Sequence, residues 1–383
     1  MQKKLSYGKQ HIDKKDIDSV IKVLKSEFLT QGSKIEEFEK VICRYTGAKY
    51  SVVVANGTAA LHLAVAALDI KKGHEGITSP NTFMASSNCL IYNSIKPVFA
   101  DIKNDTYNID PEQINNKITK KTKVIIPVHF AGQPADMEKI CRIAKKNNLF
   151  VIEDAAHAIG SKYKNGKKVG NCQYSDMTTF SFHPVKTITS AEGGAITTNN
   201  KSLYEKLLML RTHGITKDPK KMSKNPGPWY HEMQLLGYNY RLSDIHAALG
   251  ISQMKKINYF IKRRRQIVKQ YNKAFKNISW LEIPYEESGL KSVFHLYVIK
   301  IDFKKIGLTR KKIMQILQRN NIFTQVHYIP VHTQPYYKKN FGYKNGDYPK
   351  AEKYYEQTLS LPLYPDLTVE DVNYVINQIK LLG

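Results

Sequence analysis

Lys186 stands where a lysine can form a Schiff base with a carbonyl cofactor. The segment TFSFHPVKTITSAEGGAITT (179–198) reads as a strand, a turn containing Pro184, Lys186, and then the pair Gly193/Gly194, which permits tight backbone geometry. A solvated lysine is the ordinary alternative in a chain so rich in them. Asp154, in FVIEDAAHAIG, supports the chemical reading, because it is expected at the C-terminal end of a strand, where open α/β sheets bind ligands. A carboxylate there can keep a pyridine nitrogen protonated. A lysine Schiff base with an acidic pyridinium partner is what a protein contributes to pyridoxal 5′-phosphate (PLP) chemistry. The alternative for Asp154 is an N-cap of the helix-like AAHA. In ANGTAALHLAVAAL (55–68) a strand ends at Asn56, turns at Gly57 and enters a helix whose first amides are expected to point outward at Thr58 and Ala59. Free amides, a hydroxyl and the helix dipole suit a phosphate, although a Gly-Thr turn also serves as a plain cap. Ser181, five positions before Lys186, can add a second hydroxyl.

These residues need a scaffold that brings strand ends together. From about residue 50 to 200, short β-branched runs alternate with segments of helical period, the pattern of a mostly parallel sheet covered by helices. The runs YSVVVAN, GITSP, KPVFADI, KVIIPVHF, LFVIEDA, DMTTFSF and GAITTN read as seven strands, with helices over 59–69, 84–93 and 135–148 between them. After Ser243, a candidate N-cap, a long helical stretch carries an apolar stripe through Ile245, Leu249, Ile257, Phe260 and Ile267. The domain boundary is placed within it, near residue 255. The remainder, with VFHLYVIKI (293–301), a helix near 309–320 and TQVHYI (324–329), reads as a smaller α+β domain.

The 383 residues carry a formal net charge of +26, almost all of it from lysines spread along the chain. The densest run, KRRR at 262–265, lies in a helical segment where a solvated face explains it, so nucleic-acid binding is disfavoured and a diffuse attraction for anionic small molecules remains. Cys43, Cys89, Cys141 and Cys172 lack metal-ligand spacing and are expected to be buried and reduced. No metal site is expected, because His183, His327 and His332 lack supporting carboxylates or cysteines at the usual spacing. No run of about 18 apolar residues occurs, so the expectation is a soluble cytoplasmic protein without membrane attachment.

Taken together, SFHPVKTITSAEGG, EDAAHAIG, NGTAAL, SPNTF and GYNYRLSDIHAALG resemble the DegT/DnrJ family of sugar aminotransferases, from Tyr7 essentially to the C-terminus. LTQGSKIEEFE, PVHFAGQPADM, GPWYHEMQ, VHYIPVHTQPYY and SLPLYP resemble most the branch that aminates C4 of a UDP-linked 4-keto-6-deoxy N-acetyl hexose. The resemblance implies the α/β fold type I aminotransferase architecture. A large seven-stranded PLP-binding domain would span 1–255, with an N-terminal arm 1–12 near the active site, and a small domain 256–383. It implies that Lys186 carries PLP, Asp154 pairs with the pyridine nitrogen, His157 lies near the ring and Phe83 stacks on it. For the last two, a structural histidine and a core aromatic are the alternatives. Gly57, Thr58, Ala59 and Ser181 would hold the phosphate, helped by Asn239 from a second subunit, which makes the protein a homodimer with shared active sites. Tyr7, Glu27, Phe28, Leu29, Thr30, His327 and Tyr328 would meet the UDP-sugar. Arg241 is the candidate for the carboxylate of the donor, L-glutamate, with a buried ion pair as its alternative. Related sugar 3-dehydratases carry histidine in place of Lys186, so lysine favours amino transfer over dehydration. Other keto-sugar aminotransferases, amino-acid-specific PLP enzymes and a regulatory nucleic-acid-binding protein on the same scaffold are the competing classes.

Overall fold

The computed structural model describes residues 3–383. The β-branched runs form β1 (Tyr50–Val54), β2 (Glu75–Thr78), β3 (Lys96–Phe99), β4 (Thr122–Ile126), β5 (Phe150–Asp154), β6 (Met177–Ser181) and β7 (Gly194–Thr198). They make one seven-stranded sheet in the order β1-β7-β6-β5-β4-β2-β3. Strand β7 runs antiparallel to both its neighbours, and the other pairs are parallel. Side chains alternate between two cores, as strand geometry requires: Val53, Ile125 and Val151 pack on one face, Val52, Val54, Ile126 and Ile152 on the other.

Two small strands, β8 (Ile215–Thr216) and β9 (Glu232–Met233), pair at the base of a long excursion. A second sheet holds β10 (Leu281–Glu282), β11 (Tyr297–Ile301) and β12 (Thr358–Leu361), all antiparallel. Its core includes Tyr271, Phe275, Ile299 and Leu361, and a further cluster of Phe99, Phe130, Leu296 and Tyr354 cements it to the large sheet.

Two expectations change. The helical stretch after Ser243 is two helices, Asp244–Met254 and Ile257–Phe275, broken at Lys255–Lys256, and Ile245 and Leu249 are only half-buried. Ala247, Ala248, Ile251 and Met254 face the interior instead. Within the second helix, Phe260 belongs to the core of the large sheet and Ile267 to that of the small one. The segment 324–329 is not a strand: Gln325 alone pairs, with Ser360, and the chain then turns through His327 and Tyr328 toward the large sheet. The N-terminal arm joins the small sheet region, with Leu5 bridged to Ile322 and 2 % exposed in that core; Met1 and Gln2 lie outside the described residues.

Cys89 and Cys172 are buried, whereas Cys43 and Cys141 are half-buried. Among the described residues, no helix is long and apolar enough to cross a membrane. No group of three His, Cys, Asp or Glu among them could hold a metal ion.

Candidate active site

The sheet register aligns the site. Val54, the last residue of β1, stands opposite Gly194, and Gly194 opposite Ser181, the last residue of β6. A Cβ on Gly194 would lie 2.4 Å from the Asn56 carbonyl oxygen and 2.9 Å from the Gly57 nitrogen, so the turn after β1 crosses directly over β7. That crossing brings Gly57 to Ser181. A Cβ on Gly57 would come within 2.8 Å of the Ser181 Cβ and 3.2 Å of its Oγ. The glycines let a helix N-terminus and a serine hydroxyl form one cradle.

Asn56 caps that helix, its side chain accepting from the Ala59 N–H at 2.8 Å, while its carbonyl accepts from Ala60. The amides of Gly57 and Thr58 donate to nothing else in the described chain. The unshared pair is therefore Gly57 and Thr58, rather than the expected Thr58 and Ala59. Two free amides, the dipole of a ten-residue helix and the Ser181 hydroxyl fit a phosphate.

Two neighbouring carboxylates end β5, and alternation sends them to opposite faces. Glu153 is saturated: it accepts from Tyr163 (2.5 Å), Ser175 (2.5 Å) and Thr178 (3.1 Å) and pairs with His129 Nε2 at 2.7 Å. Asp154 is 5 % exposed and accepts from the Ser86 hydroxyl at 2.6 Å and the Ala156 amide at 3.1 Å. Ser86 is itself held by Thr82 at 2.7 Å. A carboxylate has about four lone-pair positions, so Asp154 keeps room for a pyridinium N–H. The bond to Ala156 closes a turn, because residues 155–160 form turns and not the helix that an N-cap would need.

Lys186 follows the expected turn, its amide donating to the His183 carbonyl at 2.9 Å. Desolvation lowers its ammonium pKa from 10.5 to about 8, partly opposed by the negative charge of Asp154. The two residues thus lie within electrostatic reach, and about a tenth of Lys186 is a neutral nucleophile at pH 7, far more than for an ordinary lysine.

The small sheet region contributes the opposite wall. Tyr328 Oη is 3.0 Å from His157 Nε2, and His327 Nδ1 is 2.8 Å from Ser360 Oγ. The Tyr7 ring centroid is 5.4 Å from that of His327, and Phe83 lies 6.4 Å from Tyr328. Phe83 is 55 % exposed, so it is not a core aromatic. Burial and the nearby Lys186 push the imidazoles of both His157 and His327 down, His327 to about 3. Both are neutral.

The remaining expected residues lie on a separate strip. Glu27, Phe28, Leu29 and Thr30 are exposed and tied down through Thr30, bridged to Ser243, and Leu29, whose carbonyl accepts from Asp244. Asn239 is exposed as well. Arg241 is half-buried beside Gln31, Glu39 and Arg211 around a cavity of about 270 Å³, and makes no ion pair among the described residues; Glu39 pairs with Arg211 instead. Two residues, Ser86 and His295, gave no turn or cap signal in the sequence, and Gly194 was marked there only as one of a pair with Gly193.

Residues 10–380 match the DegT/DnrJ/EryC1/StrS aminotransferase family. A protein of Methanocaldococcus jannaschii, the uncharacterized protein MJ1066, is 45% identical over 96% of this chain and 95% of its own length. The spore coat polysaccharide biosynthesis protein SpsC of Bacillus subtilis is 42% identical over 98% of this chain and 96% of its own. A UDP-4-amino-4,6-dideoxy-N-acetyl-β-L-altrosamine transaminase of Campylobacter jejuni is 40% identical over 97% of this chain and 95% of its own. Among solved structures, PseC of Helicobacter pylori, an aminotransferase of pseudaminic acid biosynthesis, superposes with a TM-score of 0.92 at 34% identity, covering 99% of both chains. The PLP form of the putative sugar aminotransferase Spr1654 of Streptococcus pneumoniae superposes at 0.91 with 30% identity, covering 99% of this chain and 98% of the other.

Proposed function

The chain belongs to the DegT/DnrJ/EryC1/StrS aminotransferase family, and from that premise we propose that it moves the amino group of L-glutamate to C4 of a UDP-linked 4-keto-6-deoxy N-acetyl hexose. The products are UDP-4-amino-4,6-dideoxy-N-acetyl-β-L-altrosamine, an intermediate of pseudaminic acid biosynthesis, and 2-oxoglutarate. The protein is a PLP-dependent aminotransferase. The observation that carries the reading is the desolvated Lys186 within electrostatic reach of Asp154, whose carboxylate keeps an acceptor position free. The relatives named for the altrosamine product and for pseudaminic acid support the substrate.

PLP, when bound, supplies a protonated pyridine ring that withdraws electrons and a carbonyl carbon that takes up and surrenders an amino group. The Gly57 and Thr58 amides with Ser181 hold its phosphate. Asp154 keeps the proton on the ring nitrogen, and the Ser86 hydroxyl fixes the orientation of that carboxylate. Lys186 Nζ would anchor the group and, when free as an amine, would take up a proton and deliver it to C4 of the sugar. His157, neutral, adds no second positive charge beside the ring. The exposed Glu27–Thr30 segment and Asn239, with the half-buried Arg241, suit a site completed in a homodimer, with Asn239 of one copy at the phosphate of the other. The net charge of +26 favours capture of the diphosphate.

Incubation with glutamate and UDP-4-keto-6-deoxy-N-acetyl hexoses of both C5 configurations, followed by mass spectrometry, tests this. The L-configured sugar is expected to be aminated with stoichiometric 2-oxoglutarate. Preference for the D sugar would move the assignment to another nucleotide-linked keto sugar, the reading favoured by the 42% identity to a spore coat polysaccharide protein. Exchange between small amino and keto acids without any nucleotide requirement would sink both.

A further inference from the structure

The hydrogen bond between His157 Nε2 and Tyr328 Oη, 3.0 Å long, joins the large sheet region to the small one at the edge of the site. Which atom donates decides what the phenol can do. The other ring nitrogen, His157 Nδ1, is buried and has no hydrogen-bond partner among the described residues. The ring of His295 packs on His157 at 4.3 Å between centroids, tilted by 39°, and the Nδ1 of His295 is buried and unpartnered too, so no hydrogen bond joins the two rings. His295 is kept there by Arg264, a buried guanidinium that donates to the carbonyls of His295 (3.2 Å) and Leu363 (2.9 Å).

A proton on Nδ1 would create a buried N–H without an acceptor and would oblige the phenol to give its only hydrogen to Nε2. A proton on Nε2 leaves Nδ1 as a bare acceptor, the less costly kind of orphan, and donates to the phenol oxygen. The phenol O–H is then free. An imidazolium would keep the orphan N–H and add a charge near Lys186 and His327, where burial already disfavours it. Burial likewise pushes the Tyr328 phenol pKa up, so the hydroxyl keeps its proton.

We propose that His157 is held as the Nε2–H tautomer and is a positioning residue, turning the Tyr328 hydroxyl outward as a hydrogen-bond donor to the carbonyl oxygen of the keto substrate. The phenol borders the open side of the site through Phe83, its 55 % exposed neighbour. The tautomer stands independently of the substrate; the outward donor role rests on the aminotransferase reading.

The test uses holoenzyme labelled with ¹⁵N-histidine, with the His157 signals identified by their loss in His157→Gln. A protonated Nε2 and a bare Nδ1 at pH 7 are expected; a protonated Nδ1, in either the neutral or the cationic ring, overturns the tautomer. The role of the phenol is read from the two half-reactions followed separately in Tyr328→Phe. The keto-sugar half is expected to slow about tenfold more than the glutamate half, the equivalent of one ordinary hydrogen bond. Equal slowing of both would refute the donor role. His157→Gln can present an amide N–H at the Nε2 position, so it is expected to retain more of the keto-sugar half than His157→Asn; the reverse order argues against the mechanism. Loss of all keto-sugar turnover in the parent enzyme with the Nε2–H pattern intact would overturn the proposed substrate and the donor role while leaving the tautomer standing.

Discussion

The paired glycines 193 and 194 look interchangeable in sequence, and the structure predicts opposite outcomes for Gly193→Ala and Gly194→Ala. The methyl of Gly194→Ala would meet backbone, 2.4 Å from the Asn56 carbonyl oxygen and 2.6 Å from its carbon. To reach an ordinary contact of 3.4 Å the Asn56–Gly57 peptide must retreat by about 1 Å, because β7 is pinned on both sides by β1 and β6. Overpacking of this kind costs about 1–3 kcal/mol of stability. The retreating peptide also carries the Gly57 amide proposed to hold the phosphate. A 1 Å misplacement is enough to lower turnover about 10²-fold, and cofactor affinity should fall at least about tenfold, the equivalent of ~1.4 kcal/mol. The methyl of Gly193→Ala instead meets the Ser190 hydroxyl oxygen at 2.2 Å, the end of a side chain that can turn away with loss of its hydrogen bond to the Glu192 carbonyl; the net effect should be about 1 kcal/mol. Urea midpoints of the two apoproteins and PLP titrations by absorbance would measure both quantities. Should Gly194→Ala bind PLP as tightly as wild type, or Gly193→Ala prove the more damaging, the crossing of the phosphate turn over β7 is not what selects glycine there.

Lys186 titrates near 8 in the fold against 10.5 when free, so its burial opposes folding below pH 8, and the penalty fades as pH rises toward 10.5. The Lys186→Met apoprotein should therefore be more stable than wild type at pH 7, with the gap narrowing by pH 10; a gap unchanged between the two pH values in urea titrations would contradict the desolvation argument. Removing the hydroxyl in Ser86→Ala frees the Asp154 oxygen it holds at 2.6 Å, and the loss of a hydrogen bond to a charged group, about 1.5–3 kcal/mol, should slow the glutamate half-reaction at least about tenfold in rapid-mixing experiments while leaving the fold intact. Asp244, 1 % exposed, accepts from the amides of Gly32 (2.8 Å) and Lys34 (3.0 Å) and so fixes the segment after Thr30; Asp244→Ala should lower stability by about 2 kcal/mol, visible as a reduced urea midpoint, and an unchanged midpoint would show that the two amides find other partners.

All seven strands of the large sheet, and the placing of Asp154, Ser181 and the Gly57 turn at their ends, were legible in the sequence because they rest on local signals. Runs such as SVVV and VII bury both faces of a strand, and Gly, Pro and a capping Asn mark where each run must stop. The same locality explains the errors. Ile245 and Leu249 have helical spacing with Ile257, but the break at Lys255–Lys256 rotates them off its stripe, and only packing reveals the break. TQVHYI has strand-like composition, yet it pairs at Gln325 alone, because Tyr328 is drawn across to His157.

What the amino-acid sequence by itself determined was the inventory of the chemistry: a lysine after a turn, a carboxylate at a strand end, and a helix N-terminus opened by glycine. Tertiary structure decided how these become a site. The Ser86–Asp154 bond spans 68 residues and the His157–Tyr328 bond 171, and Gly194 is needed only because a turn from β1 crosses over β7. Desolvation, which moves Lys186 from an ordinary ammonium to a group titrating near 8, belongs to no residue. It arises from the walls that distant segments build around it.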